Sequence, residues 1–88
     1  MPKIQLTESF TKCYLDLDKN TRKKVDKAIR FLAENPRHPS LRCKSIQGAP
    51  GIFEASADLS YRMTFERLPN DVLRLRVVGK HDEALNNP

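Results

Sequence analysis

The segment VLRLRVVGKHDE, Val72–Glu83, decides how the second half of the chain folds. Its leucines and valines alternate with Arg74 and Arg76, and a period of two residues is typical of a β-strand. The strand therefore has an apolar face and a cationic face, and it ends at Gly79 beside His81. Because histidine titrates near physiological pH, such a strand suits the chemistry of a phosphodiester. The same pattern also fits a solvated sheet edge.

The composition indicates one small cytoplasmic domain that spans residues 1–88. Lys and Arg outnumber Asp and Glu by 16 to 11, and the net charge of +5 favours polyanionic partners or an acidic protein. Cys13 and Cys43 are too few for a disulfide scaffold and lack metal spacing, so we expect reduced thiols, no metal and no other cofactor. No apolar run has the length of a membrane span, so we expect no membrane contact.

The first half of the chain has the pattern of a short strand followed by two helices. Ile4–Leu6 is predicted to be the strand, and Thr7–Leu17 has helical spacing with its first residue as N-cap. A second helix follows a short turn, is capped by Asn20 or Thr21, and is ended by Pro36. Because the connection between the helices is short, we predict an antiparallel helical hairpin.

The second half changes to the period of strands. Turn residues separate four predicted strands of an antiparallel meander: Leu41–Ile46, Phe53–Ala57, Tyr61–Glu66 and the quoted segment. Their common apolar face needs a cover, which the helices supply. The sequence thus predicts a two-layer α+β domain, with an N-terminal helical hairpin packed on an antiparallel sheet of about four strands. His38, in the loop before the sheet, is expected to be a surface residue.

The register of the last two strands predicts an arginine cluster. Their apolar residues share one face only if the connection has three or five residues rather than two. In either register Arg62 lies near Arg76 or Val78. The cluster consists of Arg62, Arg74 and Arg76. Like charges side by side are unfavourable unless something neutralises them, and Glu54 and Glu66 on the same face, or an anionic ligand, would do so.

Metal-free RNA cleavage needs a base for the 2′-hydroxyl, an acid for the leaving 5′-oxygen and cations for the phosphoryl oxygens. Arginine suits the last role because it can bind two oxygens at once, and histidine suits the acid or base role. The cluster also fits a solvated face with cross-strand ion pairs. A straight strand would place His81 on the apolar side and Lys80 on the cationic side, but Gly79 permits a bend or bulge. A structural and a catalytic His81 are therefore both open.

The order of strand, two helices and meander resembles the RelE/ParE superfamily of bacterial type II toxins. Three segments carry the resemblance: HPSLRCKSIQG (His38–Gly48), GIFEASADLSYRMTF (Gly51–Phe65) and VGKHDEAL (Val78–Leu85). The resemblance implies a compact α+β toxin that is neutralised by a co-expressed antitoxin. RelE-like members cleave mRNA on the ribosome without a metal, whereas ParE-like members inhibit DNA gyrase.

The resemblance also implies roles for individual residues. Arg62 matches the arginine of the family's Tyr-Arg strand, which contacts the scissile phosphate in RelE-like enzymes. His81 matches the catalytic histidine that a last-strand histidine subgroup carries before an acidic or serine residue. The catalytic candidates are Arg62, Arg76 and His81. The candidates for RNA binding are Arg42, Lys44, Arg74 and Lys80.

Two of the departures from the family pattern lie in the predicted strand Phe53–Ala57. Ser56 stands where family strands often carry Arg or His, and Glu54 adds negative charge to the phosphate face. The expected function is a ribosome-dependent mRNA endoribonuclease, with mRNA, the ribosome and a cognate antitoxin as partners. The alternatives are a ParE-like gyrase inhibitor, which is not an enzyme, and an inactive family member that binds only its antitoxin.

Overall fold

Five strands form one mixed sheet in the computed structural model, which describes residues 2–88. The strands are β1 (Lys3–Leu6), β2 (Lys44–Ser45), β3 (Ile52–Ser56), β4 (Tyr61–Leu68) and β5 (Val72–Lys80). The helices are α1 (Glu8–Leu15), α2 (Lys19–Glu34) and α3 (His81–Asn86), with a 3-10 turn at Pro39–Leu41. The strand order is β1-β5-β4-β3-β2. β1 runs parallel to β5, and the other neighbours are antiparallel.

Side-chain caps determine where the first two helices begin. Thr7 caps α1, as predicted. The prediction of Asn20 or Thr21 as the cap of α2 is wrong, because Asp18 is the N-cap and accepts a hydrogen bond from the N–H of Thr21 at 3.3 Å. A carboxylate caps a helix as well as an amide or hydroxyl does, so α2 starts earlier than expected.

The core lies between the helical hairpin and one face of the sheet. The apolar residues that are at most 1% exposed are Phe10, Val25, Leu32, Leu41, Ala55, Met63, Phe65 and Leu75. The Tyr14 hydroxyl ties α1 to α2 by donating a hydrogen bond to Asp26 at 2.6 Å. The predicted α+β class, with helices packed on a sheet, is confirmed. The sheet gains a fifth, parallel strand because β1 joins it beside β5.

A three-residue connection joins β4 to β5, as one of the two predicted registers requires. Leu68 pairs with Val72, and Asn70 and Asp71 between them adopt left-handed conformations with φ of 65° and 60°. Asn and Asp tolerate that conformation because their short polar side chains bond locally.

A β-bulge at Arg76 changes the register farther along this strand pair. Phe65 pairs with Leu75, but Thr64 pairs with Val77, so Arg76 has no partner in the ladder. A bulge places two residues of one strand opposite one residue of the other. The residues of β5 beyond the bulge therefore change faces.

This bulge overturns two expectations from the sequence. Val78 is 4% exposed and belongs to the core, whereas the alternating pattern assigns Val77 to the apolar face. Arg62 pairs with Gly79 instead of lying near Arg76 or Val78. The strand continues past Gly79 without a break, so the bulge, and not the glycine, sets which side the strand end faces.

The C-terminal segment, residues 81–88, lies on the opposite side of the sheet from the hairpin. Its helix α3, which the sequence pattern does not predict, contacts β4 and β5 and buries Ala84. It passes over Gly79, where an added β-carbon would lie 3.7 Å from Oε2 of Glu83. The Thr64 hydroxyl donates a hydrogen bond to the backbone oxygen of Pro88 at 3.2 Å. Within residues 2–88, no helix is long and apolar enough to cross a membrane.

Candidate nucleic-acid interface

The polar sheet face is the side of β3, β4 and β5 that faces away from α1 and α2. Its charged residues are Glu54, Arg62, Glu66, Arg74 and Arg76. The three arginines lie on one face, as predicted, but the bulge separates them. Arg62 is opposite Gly79, and Arg76 lies three residues earlier on β5, a distance of about 10 Å along a strand. The predicted cluster is therefore two groups.

The first group consists of Arg74 and Arg76, which share one carboxylate. Oε1 of Glu66 lies 3.1 Å from Nη1 of Arg74 and 3.6 Å from Nη1 of Arg76. Nε of Arg74 donates to Oε1 of Gln5 at 2.8 Å, and Nε of Arg76 donates to the backbone oxygen of Pro88 at 2.8 Å. One carboxylate thus offsets part of the charge of the two arginines, and a net positive charge remains.

The second group centres on Arg62, which holds the β3–β4 loop, Ala57–Ser60. Its Nη1 donates to the carbonyl oxygens of Asp58 at 2.7 Å and Leu59 at 3.3 Å. Its Nε lies 3.8 Å from Oε1 of Glu54, and only 14% of its side chain is exposed. Lys44 lies on the same face, directly opposite Glu54 in the ladder. Arg62 is therefore fixed in place by the loop it supports.

The carboxylate of Asp58 makes the β3–β4 loop rigid. It accepts hydrogen bonds from the N–H groups of Ser60 at 2.7 Å and Tyr61 at 2.8 Å, and from Nζ of Lys24 at 3.2 Å. Desolvation raises the pKa of Asp58, but these donors outweigh it and hold the pKa below its ordinary value of 3.8. The hydrogen bonds of the loop therefore favour the charged form of Asp58.

His81 lies at the other end of the same loop, as the first residue of α3. Its backbone N–H donates to the carbonyl oxygen of Ser60 at 2.9 Å. Its ring Nδ1 lies 3.2 Å from Oδ1 of Asp82, and 51% of the side chain is exposed. With Lys80 it borders an open hollow of about 460 Å³. Arg62 and His81 therefore bracket one loop without touching each other.

A second hollow, of about 480 Å³, lies on the Arg62 side of the loop. Arg42 lines it together with Arg62, Ser56 and Asp58. The seven predicted site residues thus fall into three places: Arg74 with Arg76, Arg62 with Lys44 and Arg42, and Lys80 with His81. An elongated polyanion could reach all three, whereas a small ligand could not.

No protein-family model and no curated protein matches the sequence. Solved structures do match. YafQ from E. coli strain BL21(DE3) superposes with a TM-score of 0.76 over 94% of this chain and 97% of that one, at 17% identity. A YoeB/ParE toxin from Agrobacterium tumefaciens gives 0.74 over 90% and 98%, also at 17% identity. The intact E. coli RelBE toxin-antitoxin complex gives 0.70 over 91% and 96%, at 20% identity. The chain has the RelE/ParE fold.

The fold that the resemblance implied is therefore confirmed, whereas the histidine subgroup stays a prediction. His38 lies partly exposed in the loop before β2, as expected of a surface residue. Its ring also stacks on Phe31, with centroids 4.2 Å apart and an interplanar angle of 9°. Its Nδ1 lies 3.2 Å from the N–H and 2.7 Å from the hydroxyl of Ser40. A histidine seven residues after a helical phenylalanine was the only signal in the sequence.

Proposed function

We propose that the protein is the toxin of a type II toxin-antitoxin system and that it cleaves mRNA on the ribosome without a metal. One observation carries the proposal: the rigid β3–β4 loop holds Arg62 at one end and His81 at the other. The likeness to structures that include toxin-antitoxin complexes supports the toxin role and an antitoxin partner. The reaction would take place in the cytoplasm, where ribosomes are.

The proposed chemistry divides the work among cations and a histidine. Arg62 would stabilise the charge that develops on the phosphoryl oxygens, and Arg76, about 10 Å away along the sheet, would do so from the neighbouring phosphate of the bound strand. His81 would act as general acid or base, because its exposed ring can exchange protons with a bound strand. Lys44 and Lys80 would hold RNA on either side. Arg42 and Arg74 would extend that contact, which makes binding salt-dependent.

The ion pairs of the polar sheet face are compatible with this role. An ion pair with solvent access is worth about 0–1 kcal/mol, and the side chain of Arg76 is 39% exposed. A phosphate offers charge-assisted hydrogen bonds of the same kind, so it can replace Glu66 as a partner at little net expense. The oxygen of Pro88 on Nε of Arg76 would be displaced in the same step.

The test is incubation of the purified protein with programmed ribosomes, followed by mapping of mRNA 5′ ends. His81→Ala should lower the cleavage rate about 100-fold or more, and Arg62→Ala about 100- to 1,000-fold. Lys23→Ala, which removes one exposed charge from α2, serves as control and should retain activity. Because Arg62 also holds the loop, its variant is first compared with the wild type by thermal unfolding. Wild-type cleavage in the His81 variant would refute the assignment.

One observation favours a second candidate, a ParE-like inhibitor of DNA gyrase. Among the described residues, the ring of His81 is paired with Asp82 and with no arginine. A binding module would not need a histidine beside a phosphate. A supercoiling assay separates the two functions: inhibition that survives His81→Ala, with mRNA left intact, would identify the gyrase inhibitor. Absence of both activities would leave antitoxin binding as the function.

A further inference from the structure

Three arginines outside the polar sheet face converge on one hollow. The arginine hollow, of about 290 Å³, lies between the loop before β2 and the end of β4. Its lining residues are Pro36, Arg37, His38, Pro39, Arg42, Cys43 and Arg67. None of the lining residues is acidic. Within residues 2–88, none of the three guanidiniums forms an ion pair, unlike those of Arg62, Arg74 and Arg76.

The backbone and an aromatic ring fix two of these arginines. Arg42 has a left-handed conformation, with φ of 48° and ψ of 45°, and closes the 3-10 turn. That conformation costs a residue other than glycine about 1 kcal/mol or more. The guanidinium of Arg67 lies over the ring of Phe53, 4.7 Å from its centroid, an arrangement that orients the plane of the cation. The guanidinium of Arg67 is thus oriented before any ligand arrives, and the backbone of Arg42 sets where its side chain leaves the turn.

The hollow contains no internal counter-charge. Burial raises the pKa of the Cys43 thiol, with Arg67 opposing that rise, so the thiol stays protonated at neutral pH. The three cations line one hollow and repel each other there without an acidic residue to offset the repulsion. A bound anion removes that repulsion and supplies the missing hydrogen-bond acceptors. The hollow is therefore a ready site for an anion with several oxygens.

We propose that the arginine hollow binds the phosphodiester backbone of single-stranded RNA. Each guanidinium can hold two phosphoryl oxygens. The ring of His38, held by Ser40 and stacked on Phe31, lines the same hollow. Arg42 also lines the hollow beside Arg62, so one strand can occupy both places.

This inference rests on the proposed function for the identity of the strand, but the binding does not require cleavage. The test is fluorescence anisotropy of the full chain with a labelled 2′-O-methyl RNA, which cannot be cleaved. Arg37→Ala/Arg67→Ala should weaken binding about 10-fold or more. It should also lower the slope of log K against log salt by about 1.4, because each single-strand phosphate contact contributes about 0.7. Arg37→Lys/Arg67→Lys keeps the charge but loses the planar guanidinium groups. Its affinity for RNA should lie between those of the wild type and the alanine double variant.

The matched control is Lys19→Ala/Lys23→Ala, which removes the same charge from the exposed side of α2. Equal losses in the two double variants would mean non-specific attraction and would overturn the proposal. A polyglutamate peptide that displaces RNA at comparable concentration would overturn it too, and would identify a docking surface for an acidic protein segment. Arginine-dependent RNA binding without ribosomal cleavage would support the hollow while refuting the proposed function.

A readout in the wild-type protein removes any dependence on how the variants fold. Cys43 lines the hollow, whereas Cys13 lies on α1 and is not among the lining residues; both thiols are partly buried against the core. Saturating RNA should slow alkylation of Cys43 about 5-fold or more if it covers the hollow, because a bound strand excludes the reagent. Cys13, followed in the same sample by mass spectrometry, should react at an unchanged rate. Equal protection of both thiols, or of neither, would contradict the proposal.

Discussion

The molecule has two sets of three arginines that differ in what surrounds their charge. On the polar sheet face, each arginine has a carboxylate within 3.1 to 3.8 Å. In the arginine hollow, no ion pair to any of residues 2–88 is formed. The first set looks the more functional from the sequence, because it alternates along a strand. The comparison teaches that a pattern locates arginines, whereas pairing decides how much of their charge is available.

The difference between the two sets comes from the residues that lie opposite each arginine. Strand residues repeat every second position, so arginines of β5 meet the carboxylates of neighbouring strands at cross-strand distances. Arg37 and Arg42 lie in a loop, and Arg67 lies near the end of β4. Their neighbours are proline, cysteine and histidine, none of which neutralises a cation at neutral pH. We therefore expect the two sets to respond oppositely to substitution.

The largest expected difference is in stability. Arg62→Ala should lower the free energy of unfolding by about 2–3 kcal/mol, because it removes bonds to the loop carbonyls and leaves the buried Glu54 unpaired. Arg37→Ala should change it by less than about 0.5 kcal/mol, since the side chain is exposed. Chemical denaturation measures both. In a Glu54→Gln background the effect of Arg62→Ala should shrink, and equal effects in both backgrounds would show that the ion pair contributes nothing.

The β3–β4 loop makes a smaller contribution to the free energy of unfolding, and that contribution depends on pH. The pKa of Asp58 is depressed in the folded state, so its contribution to stability is present above the unfolded value of about 3.8. That contribution is lost as the pH falls through the lower, folded pKa. At neutral pH, Asp58→Asn should be less stable than the wild type by about 1 kcal/mol, and the gap should close in strong acid.

The control for this pH effect is Asp82→Asn. The side chain of Asp82 is 95% exposed, so its replacement should leave the dependence of stability on pH close to that of the wild type. A gap between Asp58→Asn and the wild type that is constant across the acid range would mean that the carboxylate charge is irrelevant. The loop would then be held by geometry alone, and Arg62 would owe its position to the strand.

Much of this architecture follows from local pattern, and the exceptions have physical causes. The strand and helix layout, the Thr7 cap and the three-residue connection before β5 all depend on short-range chemistry that the sequence displays. The bulge at Arg76 does not. Val77 and Val78 are both apolar, so either can enter the core, and packing against Met63 decides between them.

The sequence predicts residues of the candidate site but not how they are arranged in space. It indicates Arg62 and His81, but their position around one loop depends on Ser60 and Asp58, whose hydrogen bonds form only in the folded chain. The arginine hollow was not foreseen as a unit. Arg37 and Arg67 are thirty residues apart in the sequence, and only the close approach of a loop to a strand end brings them together.

Removing Glu66 should make the paired set behave like the unpaired one. Glu66→Gln releases Arg74 and Arg76 from their shared carboxylate. The affinity for 2′-O-methyl RNA should rise about 2- to 5-fold, since one solvent-accessible pair is worth about 0.5–1 kcal/mol. Glu34→Gln, at the exposed end of α2, removes the same charge away from the face and should have less effect. Equal gains would mean that only net charge matters.

The smallest expected effect concerns Arg42 and tests whether this arginine of the hollow has a role in RNA binding. Arg42 holds a left-handed conformation with φ of 48°, which glycine adopts without strain. Arg42→Gly should therefore keep or raise stability by up to about 1 kcal/mol, while it weakens RNA binding about 3-fold through the loss of one phosphate contact. Asparagine also tolerates this conformation, so Arg42→Asn separates strain from charge. If Arg42→Gly is more stable and binds RNA as the wild type does, the arginine has no role in the hollow, and its strain is unexplained by function.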